Sequence, residues 1–285
     1  MKALLRKNKY LSSINRLRHG QKPVFIEYDI DFTPRWTGDK TGNPHLAKII
    51  SKNKKTFQSN LKRLSTYEDV VQDIQKGKFK FDIDWHNVMM PALDALTLMD
   101  AAVNATSTYM EIGSGNSTRF VKAALKTRKS KTKIISIDPC PRADIDTLCD
   151  KVIRSGVETV DLSMFDTLKK GDVLFIDNSH RSFMNSDVTV CMLDILPRLK
   201  KGVLVGIHDI FLPFDYFDTW SERGYNEQYL LASYLLANPD YFDMQFSNYW
   251  ICQQKLHEKP LQNIWDILGD KVKNRPSSAF WGIKT

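Results

Sequence analysis

The clearest structural signal in this 285-residue chain is the stretch Tyr109-Met110-Glu111-Ile112-Gly113-Ser114-Gly115-Asn116-Ser117-Thr118. Its apolar beginning predicts a buried strand, its glycines predict a tight turn, and the polar residues after them predict a helix start. A strand that ends in Gly-x-Gly and leads into a helix lets the backbone approach a ligand and points helix N–H groups at it. The stretch therefore predicts a ligand site at the end of a strand.

The ligand expected at this turn contains a ribose but no pyrophosphate. The glycine spacing differs from the dinucleotide pattern G-x-G-x-x-G, because Thr118 stands where the third glycine would be. No G-K-[ST] of a phosphate-binding loop follows either. The next predicted strand ends at Asp138, whose carboxylate is placed to accept hydrogen bonds from both ribose hydroxyls.

Short apolar runs alternate with helical patterns from Asn87 onward. The runs predicted as strands are Tyr109–Ile112, Ile134–Ile137, Val152–Ile153, Val173–Ile176, Val203–Ile207, Phe242–Phe246 and Ala279–Ile283. Such runs are typical of buried parallel strands, and their alternation with helices predicts an α/β fold. We expect a mostly parallel seven-stranded sheet with helices on both faces.

The first 85 residues have a different character and predict an N-terminal α+β extension before a domain at 86–285. Apolar and polar residues alternate in Val24–Phe32 and in Phe79–Trp85, which predicts short strands. The lysine-rich stretch Leu46–Lys76 has a helical pattern.

The start of the chain is strongly basic. Lys and Arg outnumber Asp and Glu by 41 to 33 overall, for a formal net charge of +8, and residues 1–22 hold no acid. Apolar residues recur at helical spacing there, which predicts a basic amphipathic helix. Two interpretations remain open: the helix contacts an anionic membrane surface, or it packs its apolar stripe on its own domain.

Cellular location is also suggested by what the sequence lacks. No stretch approaches the roughly 18 consecutive apolar residues of a membrane-spanning helix, and residues 1–22 lack the apolar middle region of a secretory signal. We expect a cytoplasmic protein, with peripheral contact at the inner face of the membrane if the basic helix binds lipid.

The glycine stretch resembles the first motif of class I S-adenosylmethionine-dependent methyltransferases, an acidic residue followed by Gly-x-Gly after the first strand. Asp138 matches the ribose-binding acid of that family. The resemblance implies a Rossmann-like methyltransferase fold and the cofactor S-adenosyl-L-methionine. The implied cofactor residues are Glu111, Gly113, Ser114, Gly115, Asn116, Ser117, Asp138 and Asp177.

Residues 86–285 further resemble bacterial methyltransferases of the Methyltransferase 24 group, which is associated with surface-polysaccharide genes. The motifs that carry the resemblance are Gly171–His180, Leu196–Leu199, Ile207–Pro213 and Tyr225–Leu231. The resemblance implies O-methylation of a small-molecule or glycan acceptor, a sugar or another small polar compound. A nucleic-acid methyltransferase is the alternative enzyme, but the chain lacks the Asp/Asn-Pro-Pro-Tyr run after strand four and any recognisable RNA-binding module, so no nucleic-acid partner is expected. A non-catalytic scaffold is the third interpretation.

Polar side chains follow two neighbouring strands of the predicted sheet. Asp177 closes strand four, His208 and Asp209 close strand five, and His180 follows Asp177 closely. Because the carboxyl ends of parallel strands meet at one edge of a sheet, these side chains should lie together. They suit general acid/base chemistry, with His208 as the favoured base and His180 nearly equal.

A divalent cation such as Mg²⁺ is a second possibility at the same place. Related methyltransferases hold magnesium with acids at comparable strand ends, which implies Asp177, His208 and Asp209 as ligands, although histidine is a poorer magnesium ligand than an acid. A purely structural role for the cluster also remains open. The predicted acceptor pocket consists of Trp220, Arg223, Tyr225, Asn226 and Glu227, with ordinary packing of the aromatic residues as the alternative.

Overall fold

The computed structural model describes residues 27, 30–37, 42–141 and 143–285. The chain divides into two compact units, Met1–Thr33 and Pro34–Thr285. The predicted basic helix in residues 1–22 lies outside the described residues, so its membrane contact stays a prediction. Of the predicted strand Val24–Phe32, residues 27 and 30–32 are described, and none of these belongs to a strand.

The second unit is built on one seven-stranded sheet, as the sequence predicts. Its strands are β1 (Thr108–Ile112), β2 (Lys133–Ile137), β3 (Lys151–Ile153), β4 (Val173–Ile176), β5 (Leu204–Ile207), β6 (Phe242–Ser247) and β7 (Phe280–Lys284). The spatial order is β3-β2-β1-β4-β5-β7-β6. The first five strands are parallel, whereas β7 runs antiparallel to both β5 and β6. The α/β fold with a mostly parallel sheet is confirmed.

The strand register brings the carboxyl ends of four strands to one edge of the sheet. Ile112 of β1 pairs with Ile137 of β2 and with Ile176 of β4, and Ile176 pairs with Ile207 of β5. The residues that follow these four therefore leave the sheet side by side. They are Gly113, Asp138, Asp177 and His208. In open α/β sheets this edge is where ligands bind.

Helices cover the sheet, whose central strand β4 is buried along its whole length. In the described residues they are α1 (Pro44–Ser51), α2 (Lys54–Leu64), α3 (Glu68–Gln75), α4 (Ala92–Val103), α5 (Asn116–Thr127), α6 (Asp187–Val190), α7 (Leu196–Arg198), α8 (Glu227–Ala237), α9 (Asn248–Gln253), α10 (Gln262–Leu268) and α11 (Asp270–Lys273). A π-helical turn, Cys191–Ile195, joins α6 to α7. None of the described helices is long and apolar enough to span a membrane.

The boundary between units falls at Thr33/Pro34, whereas the sequence predicts it at 85/86. Helices α1 to α3 bury their apolar residues in the same core as the sheet. A hydrogen-bonded ion pair between Arg63 of α2 and Asp100 of α4, 2.8 Å apart, also joins them to it. These helices are therefore part of the sheet-containing unit.

The predicted strand at Phe79–Trp85 is wrong. The segment pairs with no strand in the described part of the chain. Instead, the rings of Phe79 and Phe81 stack 5.4 Å apart, and the buried Trp85 lies 4.8 Å from the Phe120 ring on α5. The alternation of apolar and polar residues arises because the segment packs on a helix in an extended form.

Candidate active site

The turn after β1 requires glycine at position 113. Gly113 has a φ of +81°, and a β-carbon there would lie 1.8 Å from the carbonyl oxygen of Asp177. Gly113 N–H donates to the carbonyl of Ile137 at 2.9 Å, and Asp177 N–H donates to that of Ile112 at 2.8 Å. The ends of β1, β2 and β4 therefore meet at Gly113, with room for backbone only.

Glu111 shapes the turn from inside the protein. Its fully buried carboxylate accepts hydrogen bonds from the Tyr109 hydroxyl at 3.0 Å, the Ser117 hydroxyl at 3.1 Å and the Thr118 hydroxyl. Burial raises the pKa of Glu111 to about 7, although the three hydroxyls oppose the shift. The side chain holds the first turn of α5 against β1.

Asp138 lies across the turn, at the end of β2. Its Oδ2 accepts the Ser114 N–H at 2.8 Å and the Ser114 hydroxyl at 3.3 Å, while its Oδ1 accepts the Cys140 N–H at 2.8 Å. Each carboxylate oxygen has two acceptor sites, so Oδ1 can still accept from a ligand, whereas Ser114 already occupies both sites of Oδ2. The backbone fixes the carboxylate where the sequence predicts ribose binding.

A cavity of about 870 Å³ runs along this edge of the sheet. Of the predicted cofactor residues, Gly113, Ser114, Asp138 and Asp177 line it, whereas Glu111, Gly115, Asn116 and Ser117 are not among its described lining residues. A β-carbon at Gly115 would meet no described atom within 4 Å, which leaves open space beside the helix start. The volume, the free space and the placed carboxylate fit an adenosine-containing cofactor.

His180 lies against three carboxylates in this cavity. Its Nδ1 is 2.9 Å from Oε2 of the buried Glu227, and its Nε2 is 3.4 Å from Asp177 Oδ1 and 3.5 Å from Asp209 Oδ2. Both His180 and Asp209 have positive φ values, +58° and +54°, in the left-handed region that few residues other than glycine adopt. The backbone thus turns sharply to bring these groups together.

His208 occupies the neighbouring position after β5. Its Nδ1 is 3.5 Å from Asp177 Oδ1 and 3.6 Å from Asp209 Oδ1, and its Nε2 is 3.4 Å from Asp94 Oδ2 on α4. The structure therefore brings together all four predicted catalytic residues. It adds Asp94, which the sequence analysis missed although it is the first of two acids in the mostly apolar helix α4.

The Asp94 carboxylate is held firmly. It accepts the backbone N–H groups of Ser278 and Ala279, both at 2.8 Å, and the side-chain amide of Asn248 at 2.8 Å. Because α4 and the segment before β7 fix this carboxylate, the Nε2 side of His208 has a fixed neighbour in the core, while the ring also lines the cavity.

The carboxylates change the proton affinity of both imidazoles. Burial acts to lower the pKa of His180, but its contacts with Asp177 and Glu227 outweigh burial and raise the pKa well above 6.5. The pKa of His208 is raised in the same way, mainly by the charges of Asp177 and Asp209. For Asp177, burial is outweighed by the charge of His208 and the hydrogen bond from His180, and its pKa falls well below the usual range.

We expect NMR titration of the histidine ring protons to show the raised pKa values of His180 and His208 directly. The signals of His180 and His208 should titrate well above pH 6.5, and that of His257, whose pKa burial lowers, should titrate below it. His180→Gln and His208→Gln assign the signals. The pKa values of the two imidazoles are raised only in the folded state. Their ion pairs therefore stabilise the fold fully below pH 6.5, and this stabilisation is lost as pH rises through the raised pKa values. Titration of both imidazoles near 6.5 would contradict the ion-pair geometry.

The predicted acceptor residues divide into two groups. Trp220, Arg223 and Tyr225 line the cavity, but Asn226 and Glu227 do not belong to its described lining. The Asn226 side chain accepts the Ser182 N–H at 2.6 Å, and Glu227 is fully buried beneath His180. These two residues hold the loop that carries His180, so the prediction of acceptor contact for them is corrected.

The predicted cation site has no support in the side-chain placement. Among the residues that the structure describes, no group of three or more His, Cys, Asp or Glu side chains is arranged to hold a metal ion. The imidazole nitrogens are directed at Asp177 and Asp209, so these acids pair with histidines. A cation at Asp177, His208 and Asp209 stays a prediction, and the catalytic steps proposed below use side chains alone.

Comparison with known proteins agrees with the site. Residues 110–210, from β1 to the turn after β5, match the model of a Methyltransferase domain, that of the Methyltransferase 24 group. A search of curated proteins finds no match.

Solved structures give only weak likenesses. The plantazolicin methyltransferase BpumL, in complex with a pentazolic desmethylPZN analog and SAH, has 13% identity and a TM-score of 0.42, over 80% of this chain and 99% of that one. A mutant 16S rRNA (adenine(1408)-N(1))-methyltransferase from Catenulisporales acidiphilia has 9% identity and a TM-score of 0.30, over 67% and 94%. The domain match and the glycine turn support a class I S-adenosylmethionine-dependent methyltransferase.

Proposed function

We propose that the protein transfers the methyl group of S-adenosylmethionine to an oxygen of a small polar acceptor, a sugar or a sugar-linked glycan precursor. The observation that carries the proposal is one cavity that holds both the glycine turn with Asp138 and the histidine pair. A donor bound at the turn and an acceptor bound beside His180 would share this space. No second function is favoured by a separate observation.

The cofactor end is formed by Gly113, Ser114 and Asp138. Asp138 would accept hydrogen bonds from ribose hydroxyls, and the open space at Gly115 would let the ligand approach the start of α5. When bound, S-adenosylmethionine supplies a methyl group on positively charged sulfur, and its carbon–sulfur bond breaks as the acceptor oxygen bonds to carbon. The carboxylates of Asp177 and Asp209 place negative charge near this cation.

The acceptor proton needs a base, and His180 is better placed than His208 for that role. Glu227 lies 2.9 Å from Nδ1 of His180, which is the arrangement of an oriented general base, and Nε2 lies beside Asp177 and Asp209 in the cavity. No carboxylate lies that close to His208, whose contacts with Asp94, Asp177 and Asp209 are 3.4 to 3.6 Å long. In its neutral form, His180 would take the hydroxyl proton at Nε2, and Asp177, Asp209 and Glu227 would stabilise the resulting imidazolium.

Calorimetry with S-adenosylhomocysteine tests the cofactor assignment without an acceptor. The wild type should bind it, and Asp138→Ala should weaken binding by about 1–3 kcal/mol because hydrogen bonds to a carboxylate are lost. Gly115→Ala should also weaken binding while leaving the melting temperature nearly unchanged, since its β-carbon would enter space that holds no described atom.

Asp243→Ala is the matched control, because Asp243 is exposed on β6 and is not among the described cavity residues. Its affinity should equal that of the wild type. Absence of heat from a folded sample at millimolar ligand would overturn the cofactor assignment. Unchanged affinity in both Asp138→Ala and Gly115→Ala would place the cofactor elsewhere.

A further inference from the structure

We propose that the acceptor carries an anionic group, a carboxylate or a phosphate, which binds the guanidinium groups of Arg181 and Arg223. This inference rests on the proposed function, because it assumes that the acceptor hydroxyl lies at His180. It narrows the acceptor from a small polar compound to an acidic one. The sequence analysis placed Arg223 in the pocket but did not single out Arg181.

The two arginines are organised around one aromatic ring. The guanidinium carbon of Arg181 lies 5.0 Å from the Tyr225 ring centre, and that of Arg223 lies 3.8 Å from the Trp220 ring and 5.5 Å from the Tyr225 ring. Arg181 Nε also donates to the carbonyl of Arg223 at 2.7 Å. Stacking on flat rings limits the orientations of a guanidinium, so the loss of side-chain entropy on binding an anion is reduced.

Within the described part of the chain, these positive charges have no carboxylate partner. No ion pair joins Arg181 or Arg223 to an acidic side chain in the ranges 42–141 and 143–285 or the shorter described segments. The hydrogen bonds of the Arg181 guanidinium go to backbone carbonyls, those of Arg223 and Ser179. The nearby acids Asp177, Asp209 and Glu227 contact His180, and Asp187 accepts hydrogen bonds from Ser179.

Arg181 and Arg223 thus offer planar N–H donors at the cavity wall. Guanidinium groups match the geometry of carboxylate and phosphate oxygens. A neutral acceptor would leave both charges without a partner. The arrangement therefore favours an acidic acceptor over a neutral one.

The spacing also restricts the acceptor. The Tyr225 ring contacts the base as well as both arginines, because its centre is 4.8 Å from the His180 ring centre. One small acceptor can therefore reach the arginines with an anionic group and His180 with its hydroxyl. A monosaccharide that bears a carboxylate or a phosphate is an acceptor of this kind.

The experiment measures binding to full-length protein saturated with S-adenosylhomocysteine, at constant ionic strength. Calorimetric titrations with inorganic phosphate, glucuronate and glucose compare the two anion types with a neutral ring. We expect phosphate or glucuronate to bind saturably, with glucose at least tenfold weaker. Whichever anion binds identifies the charged group.

The first variant is the double substitution Arg181→Gln with Arg223→Gln. The second is Arg223→Gln alone, which keeps the test open if the double variant does not fold, because Arg223 is exposed. The double variant should weaken anion binding at least tenfold and the single variant at least fivefold. Both should leave the affinity for S-adenosylhomocysteine unchanged. Arg198→Gln is the matched control, because this arginine lies 3.6 Å from Asp166 and is not a described cavity residue. It should bind anions like the wild type.

The outcomes separate the two proposals. If S-adenosylhomocysteine binds but neither anion saturates, or if anions bind equally to the wild type and the variants, the acidic acceptor is wrong and the methyltransferase proposal stands. If S-adenosylhomocysteine does not bind, both fail. Equal binding of glucose and glucuronate would show that the charged group contributes nothing.

Discussion

Gly113→Ala is expected to lower the free energy of unfolding by roughly 3–5 kcal/mol, which is at the upper end for a single substitution. Alanine at a φ of +81° is strained, and its β-carbon would lie 1.8 Å from the Asp177 carbonyl oxygen. That oxygen is backbone, so relief requires β1 and β4 to separate at the edge where the site is built. Urea denaturation monitored by circular dichroism measures the loss.

Gly77→Ala measures the cost of a positive φ without the steric clash that Gly113→Ala adds. Gly77 also has a positive φ, +63°, but a β-carbon there would meet no described atom within 4 Å. Its substitution should cost only about 1 kcal/mol, the price of the backbone conformation. Similar losses in the two variants would contradict the close approach of the strands at Gly113. Wild-type stability of the Gly113→Ala protein would also contradict this close approach.

The sheet could be predicted from the sequence because its strands are short apolar runs with polar turns between them. The centre of the sheet is covered on both faces, so every residue of a strand such as Val173–Ile176 is apolar and the run stands out. The positions of Asp138, Asp177 and His208 follow from that pattern, because parallel strands must end at one edge. The cluster at His180 could thus be expected before the structure was known.

Contacts between distant segments could not be predicted in this way. The alternation in Phe79–Trp85 has the period of a strand, but a strand needs a neighbour, and the segment packs on α5 instead. Glu227 follows Tyr225 in sequence and was therefore placed in the pocket. The backbone of Asn226 donates to the carbonyl of His180 at 2.9 Å, which turns the next side chain beneath the histidine. A local pattern carries no information about such a pairing.

The same limit applies to the choice of base. From the sequence, His208 is slightly favoured over His180, since both are expected at the ends of adjacent strands. Each histidine contacts three acids, but the structure gives the loop histidine the closest carboxylate, Glu227 at 2.9 Å, whereas the contacts of the strand-end histidine are 3.4 to 3.6 Å long. Catalytic roles are decided by these partners, and the partners come from α4 and α8, far away in sequence.

His180→Ala is accordingly expected to lower methyl transfer to the acceptor by roughly 100- to 10,000-fold, the usual contribution of a positioned general base. Affinity for S-adenosylhomocysteine should stay almost unchanged, because the ribose carboxylate and the glycine turn are untouched. Glu227→Gln should lower turnover less, since its amide oxygen can still accept from Nδ1 of His180 but carries no full charge. Initial rates with labelled S-adenosylmethionine measure the effects once an acceptor is in hand.

His45→Ala serves as the control, because His45 is exposed at the start of α1 and is not a described cavity residue. Its turnover should equal that of the wild type. Near-normal turnover of His180→Ala together with a large loss in His208→Ala would assign the base to His208 instead. If both variants keep normal turnover, the cluster is structural. Loss of wild-type activity on chelation, restored by magnesium, would favour a cation held by Asp177, His208 and Asp209, which would lower the pKa of the acceptor hydroxyl while His180 takes its proton.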